Sequence, residues 1–190
     1  MLINVKDRII LLHNPKTGGR FREGACKERY FHTPSIELKK PVRNISHITY
    51  EEAKEAMPTF PLYKVITVVR NPYNRFVSAV NFSFNEVFGC NLEKSINNAL
   101  DMIEKNEIGV LFSSECPWFC PQNLYTGEGV EVLKYENMDD WKRLCDILKF
   151  DITQVNIKSS YRLSRKQKNR IRGIYEAYDK EIFKMYESCG

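Results

Sequence analysis

The sequence predicts an α/β fold, with a mostly parallel central sheet covered by helices. Three observations predict it. Residues 8–13 ("RIILLH"), 63–70 ("YKVITVVR") and 130–135 ("VEVLKY") are short apolar or β-branched runs that read as strands, the first two as buried ones. Helix-start signals follow between them, so strands alternate with helices along the chain. Ile171, Ile174, Tyr175, Tyr178, Ile182, Phe183 and Tyr186 recur at three- and four-residue spacing, the signature of an amphipathic helix. With 190 residues the chain is expected to form a single domain over 1–190, long enough to bury a core.

Taken in order, the strand at 8–13 runs into a glycine pair, Gly18-Gly19, and a helix is expected from Gly18 to about Tyr30. Residues 32–43, with Pro34, Pro41 and Lys39-Lys40, read as a loop, and residues 44–47 as a short second strand. Thr49 with Glu52 three positions later fits a capping box opening a helix to about Met57. After the strand at 63–70, Asn71 is a cap and Pro72 takes the first helical position, where its missing N–H costs nothing; this helix is expected to reach about Glu86. Asn91 caps another, from Leu92 to about Glu104. Residues 113–129 are irregular, with one helical turn around Gln122; a helix follows the third strand from about Asp139 to Leu148, and Ser164 caps the last.

Hydrophobic content of 43% against 28% charged residues describes an ordinary globular protein. No apolar run is long enough to span a membrane, and "MLINVKDR" lacks the apolar centre of a signal peptide, so the expected compartment is the cytoplasm. The six cysteines are scattered and are expected to be reduced thiols; Cys116 and Cys120 alone are too few for a structural zinc site. The formal net charge is +5, and its placement matters more than its size. Between Lys16 and Arg43 stand eight basic and three acidic residues, so the rest of the chain is neutral. The excess lies just behind the glycine pair, as suits a nucleic-acid binder or a site for an anionic cofactor and acceptor.

"HNPKTGGRF", residues 13–21, has the grammar of a phosphate cradle. A strand handing over to a helix through glycines brings backbone N–H groups and a helix dipole onto one spot. Lys16 adds a charge and Thr17 a hydroxyl; the bland alternative is a turn with an incidental lysine. A Walker loop would place Lys and Ser/Thr after the second of two spaced glycines, the hydroxyl serving Mg²⁺. Here the lysine precedes the glycines and Arg20 follows them, so no magnesium hydroxyl is evident. In "VVRNPYNRFVSAV", Arg70 ends a strand, where α/β proteins present ligands, and Ser78 lies on the next helix with Arg75 one turn before it. These residues fit a second phosphate site, or equally arginines in ion pairs and a serine tolerated in a helix.

Together the two stretches resemble the sulfotransferases that use 3'-phosphoadenosine 5'-phosphosulfate (PAPS). "PKTGG" looks like that superfamily's 5'-phosphosulfate loop, and "RNPYNRFVS", with arginine eight residues before serine, like its 3'-phosphate site. The likeness is to the carbohydrate branch with the heparan and chondroitin enzymes; "ISHITY", "CPQNLY" and "VLKYENM" recur in that order, so it covers most of residues 8–138. The resemblance implies a P-loop-like three-layer sandwich that transfers a sulfuryl group from PAPS to an acceptor hydroxyl, with no metal needed. Lys16 would neutralise charge on the bridging oxygen as the group leaves. Thr17, Gly18, Gly19 and Arg20 would hold the 5'-phosphate, and Arg70 and Ser78 the 3'-phosphate. The product would be 3'-phosphoadenosine 5'-phosphate.

The acceptor hydroxyl needs a base. "SHITYEEA" resembles the stretch carrying it in heparan 2-O-sulfotransferases, where a histidine ends the second strand, which points to His47. The chain departs from those enzymes at Ile45, where they have a second histidine, and from most relatives at Arg20, where Ser or Thr is usual. In the 3-O-type enzymes the base is a glutamate on the first helix, and Ala25 stands there, with Glu23 two positions away. His13 reads as structural and His32 as a possible acceptor contact; Lys39, Lys40 and Arg43 read as a solvated run. Gln122 and Tyr125 fall where relatives have a loop near cofactor or acceptor, or they simply pack.

The expected function is therefore a PAPS-dependent sulfotransferase with His47 as general base. Its expected partner is a hydroxyl-bearing saccharide or other glycan, without nucleic acid or membrane. The rivals are a nucleotide kinase-like phosphoryl transferase, which would need Mg²⁺, a non-catalytic basic nucleic-acid-binding module, and a relative that binds cofactor without turning it over.

Overall fold

The computed structural model describes residues 1–18, 45–85, 91–106, 116–149 and 161–187. They form a mixed α/β structure around one four-stranded sheet, in the order β1 (Leu2–Asn4), β2 (Ile9–Leu12), β3 (Lys64–Val69), β4 (Val130–Lys134). β2, β3 and β4 are parallel neighbours, and β1 pairs antiparallel with β2 through Ile3 and Ile10. The helices are α1 (Tyr50–Ala56), α2 (Pro72–Val80), α3 (Leu92–Asn106), α4 (Met138–Leu148) and α5 (Arg165–Glu187). They divide into two compact units, Met1–Val69 with Asn123–Asn156, and Arg70–Gln122 with Ile157–Gly190.

The first unit holds the sheet. All four residues of β2 are buried although successive side chains face opposite ways, as expected of a strand covered on both faces. Ile10 and Leu12 join Ile3 and Val65 on one side, where Ile48, Ala53, Met57 and Phe60 close the core. Each such side chain removed from water contributes roughly 1.5–3 kcal/mol. α1 starts as the sequence predicts: Glu52 N donates to Thr49 Oγ1, while Thr49 N donates to Glu52 Oε2. β1 was not expected; it takes the edge beside β2.

That edge also explains a correction. Residues 45–47 are not a strand but a 3-10 turn, Ile45–His47. β1 already occupies the place beside β2, and the amino terminus donates to Ser46 O at 2.8 Å. Three residues with that carbonyl already engaged have no ladder to join.

The second unit is helical. Asn71 Oδ1 accepts from Tyr73 N and Asn74 N, and Pro72 takes the first position of α2. α2 ends at Val80, earlier than expected, and gives way to a π turn at Asn81–Asn85. Asn91 caps α3, and Ser164 with Gln167 forms a reciprocal cap on α5. The core of this unit gathers Phe76, Val80, Ile96, Leu100, Phe119, Ile171, Tyr175 and Phe183. Of the apolar stripe read from the last helix, Ile171, Tyr175, Ile182 and Phe183 are buried, and Ile174 and Tyr178 pack partly buried against the core. The irregular stretch before β4 contains two 3-10 turns, Pro117–Phe119 and Gln122–Tyr125. Cys116, Cys120 and Cys145 are thiols, not halves of a disulfide. Among the described residues no helix is long and apolar enough to cross a membrane.

Candidate functional site

The candidate residues are divided between the two units. The helix expected from Gly18 to Tyr30, the residues Gly19, Arg20, Glu23, Ala25 and His32, and the basic run at Lys39, Lys40 and Arg43 lie outside the described residues.

In the first unit, the chain leaves the carboxyl end of β2 as a braced loop. Asn14 is fully buried and its Nδ2 donates to Val68 O on β3 at 3.1 Å, tying the loop to the neighbouring strand. Thr17 Oγ1 donates to Asn14 O at 2.6 Å with the side chain fully buried, so this hydroxyl is a strut within the loop. Lys16 has φ 65° and Gly18 φ 80°, while Thr17 between them is not in the positive region and the Pro15 ring holds φ negative. The sign of φ thus alternates through residues 15–18. Alternation of right- and left-handed residues is how nests turn successive N–H groups toward an anion. A left-handed lysine costs roughly 1–2 kcal/mol, and the braces on both sides of it offset that strain.

Gly18 is required for a second reason. A Cβ there would stand 3.1 Å from Tyr135 Cε2 and 3.2 Å from Trp141 Cη2. These rings pack edge to face, with centroids 5.6 Å apart, and Trp141 Nε1 donates to Tyr135 O at 2.6 Å. They form a rigid aromatic floor under the loop. Neither was singled out from sequence as part of the site, because their proximity depends on β4 lying beside β3.

His47 stands beside the start of this loop. Its Nδ1 is 3.3 Å from His13 O, and the two imidazole centroids are 4.5 Å apart. A carbonyl can only accept, so this contact selects the tautomer with hydrogen on Nδ1 and the basic lone pair on Nε2. Tyr125 OH donates to His47 O at 3.3 Å and fixes the backbone from the other side. His13, read from sequence as structural, thus supplies the carbonyl that orients His47.

In the second unit, Arg70 is the first residue after β3 and is 7% exposed. Its N–H donates to Gln122 Oε1 and its carbonyl accepts from Gln122 Nε2, each at 2.8 Å. Gln122 N donates in turn to Asp179 Oδ2 at 3.2 Å. Arg75 is buried, and its Nη2 donates to Cys120 O at 2.7 Å, so this arginine braces the irregular stretch. Ser78 is half-buried on α2. Tyr175 OH donates to Phe119 O at 2.8 Å; burial pushes this phenol well above the usual tyrosine range, with Arg75 opposing the shift.

Asp179 was missed from sequence although a signal existed. It lies four residues after Tyr175 and three before Ile182, an acid on the apolar stripe of α5. No protein-family model, no curated protein and no solved structure matches this chain.

Proposed function

We propose that the chain is a cytoplasmic PAPS-dependent sulfotransferase with a P-loop-like fold, acting on a hydroxyl of a saccharide. The observation that carries this reading is the loop after β2. There Lys16 and Gly18 take positive φ around a buried Thr17, a backbone pattern of the kind that suits an anion, with a lysine in the turn itself. The donor supplies the sulfuryl group. The chain's own residues would bind, orient and move one proton.

Backbone donors of Thr17, Gly18 and Gly19, with the side chain of Arg20, would hold the 5'-phosphate, and Lys16 would offset charge growing on the bridging oxygen. Thr17 would contribute through its backbone, since its hydroxyl donates to Asn14 O. Arg70 and Ser78 would bind the 3'-phosphate. His47, with hydrogen on Nδ1 directed at His13 O, would take the acceptor's proton on Nε2. The hydroxyl oxygen would form the new bond to sulfur as the bond to the bridging oxygen breaks, in line.

The test is transfer of radiolabelled sulfuryl from PAPS to a panel of desulfated heparan and chondroitin oligosaccharides, with EDTA present. Labelled glycan that vanishes with Lys16→Ala is expected. Transfer of phosphate from ATP with Mg²⁺ instead would replace this proposal with a kinase.

A further inference from the structure

The proposed function rests the recognition of the 3'-phosphate on Arg70, and the backbone of Arg70 is gripped by a side chain. The Gln122 carboxamide bonds both backbone groups of Arg70, Oε1 accepting from the N–H and Nε2 donating to the carbonyl. A primary amide offers one acceptor and two donors in a plane, so it can satisfy a residue as an adjacent strand would. Because Gln122 is fully buried, water cannot replace a lost bond there.

The mount behind Gln122 is itself pinned at three points. Tyr175 OH donates to Phe119 O, Arg75 Nη2 donates to Cys120 O, and Asp179 Oδ2 accepts from Gln122 N. Asp179 is 1% exposed and sits at a break in α5, with φ −99° and ψ 22°. A carboxylate buried in a helix is costly, and it is retained here at the point where the Gln122 backbone must be held. Two helices and one irregular stretch therefore converge on the φ and ψ of a single arginine.

We infer that Gln122, mounted on Asp179, is a positioning residue for Arg70, and that the preference for a 3'-phosphorylated adenosine nucleotide depends on it. This rests on the assignment of Arg70 to the 3'-phosphate.

The test is calorimetric titration of the full chain with 3'-phosphoadenosine 5'-phosphate and with 5'-AMP, which lacks the 3'-phosphate. Wild type is expected to prefer the former. Gln122→Met, similar in size and without the amide, is expected to lower that preference by at least about tenfold while 5'-AMP binding holds, a selective loss of one set of contacts. The double variant Arg70→Ala/Gln122→Met should bind no worse than Arg70→Ala alone, because the two act as one unit. Asp179→Ala should follow Gln122→Met, and Asp179→Asn, which keeps an acceptor oxygen, should recover most of the preference. If Gln122→Met does not fold, the Asp179 pair makes the same decision.

Equal weakening of both nucleotides, or an unchanged preference, in the Gln122 and Asp179 variants would overturn the inference while Arg70→Ala still loses the 3'-phosphate. A wild type without preference, matched by Arg70→Ala, would overturn the role of Arg70 and this inference with it.

Discussion

His47 points its Nδ1 hydrogen at the carbonyl of His13, the first residue after β2, where the lysine loop begins. One contact thus sets the tautomer of an imidazole and ties it to the strand that launches the loop. Histidines held this way keep the other ring nitrogen basic, the state a general base needs.

From this follows the first prediction. His47→Ala should lower sulfuryl transfer by about 10²–10⁴-fold, the usual range for a lost general base. Binding of 3'-phosphoadenosine 5'-phosphate should stay within a few fold of wild type, because His47 is not among the residues assigned to the nucleotide. Parallel turnover and calorimetry check both halves; equal loss in the two would make His47 a structural residue.

Gly18→Ala should damage fold and binding together. The new methyl would meet Tyr135 and Trp141 at 3.1 and 3.2 Å, at a φ of 80° that alanine rarely adopts. A cost of about 1–3 kcal/mol is expected, read as a fall in thermal midpoint, together with loss of nucleotide binding. Wild-type stability in this variant would mean that the floor yields and that the glycine is not required.

The ion pairs between α3 and α5 give a prediction in acid. Arg170 lies 2.6 Å from both Asp101 and Glu104, and its hydrogen bond holds the Glu104 carboxyl below the ordinary value of 4.5. A lowered folded-state value contributes stability that is fully present above 4.5 and is lost as pH falls from there through the lowered folded-state value. Glu104→Gln should therefore cost stability at pH 7, by less than about 1 kcal/mol for so exposed a pair. The gap from wild type should close on acidification, as denaturant melts at pH 3 and pH 7 would show.

At the alkaline end Tyr175 governs. Its phenol is buried and held above the ordinary value of 10.0, so its stabilisation is complete below that pH and declines as pH rises beyond it. Tyr175→Phe leaves the Phe119 carbonyl without this donor and should cost about 1–3 kcal/mol at pH 7. The difference between the two proteins should shrink above pH 10.0. A constant difference across that range would mean that the phenol does not ionise on unfolding.

What was legible in the sequence was local. The runs giving β2, β3 and β4, the caps at Thr49, Asn71, Asn91 and Ser164, and the stripe on α5 are each written within a few residues. The expected strand at 44–47 failed because strand formation is decided by a partner, and β1 holds the place beside β2. Within the site, Lys16 and Gly18 could be read from their pattern. The brace from Asn14 to Val68, the floor of Tyr135 and Trp141, and the grip of Gln122 on Arg70 span 52 to more than a hundred residues. No local pattern encodes such pairings. Asp179 is the exception, an acid on an apolar stripe that announces a buried partner.

The proposed function requires binding of a nucleotide that carries phosphate on both its 3' and 5' oxygens. Calorimetric titration with 3'-phosphoadenosine 5'-phosphate in EDTA, for wild type and Arg70→Ala, tests it most directly. Micromolar binding that survives the chelator and is lost in the variant is the predicted result. No binding, or binding of ATP only when Mg²⁺ is present, would contradict it.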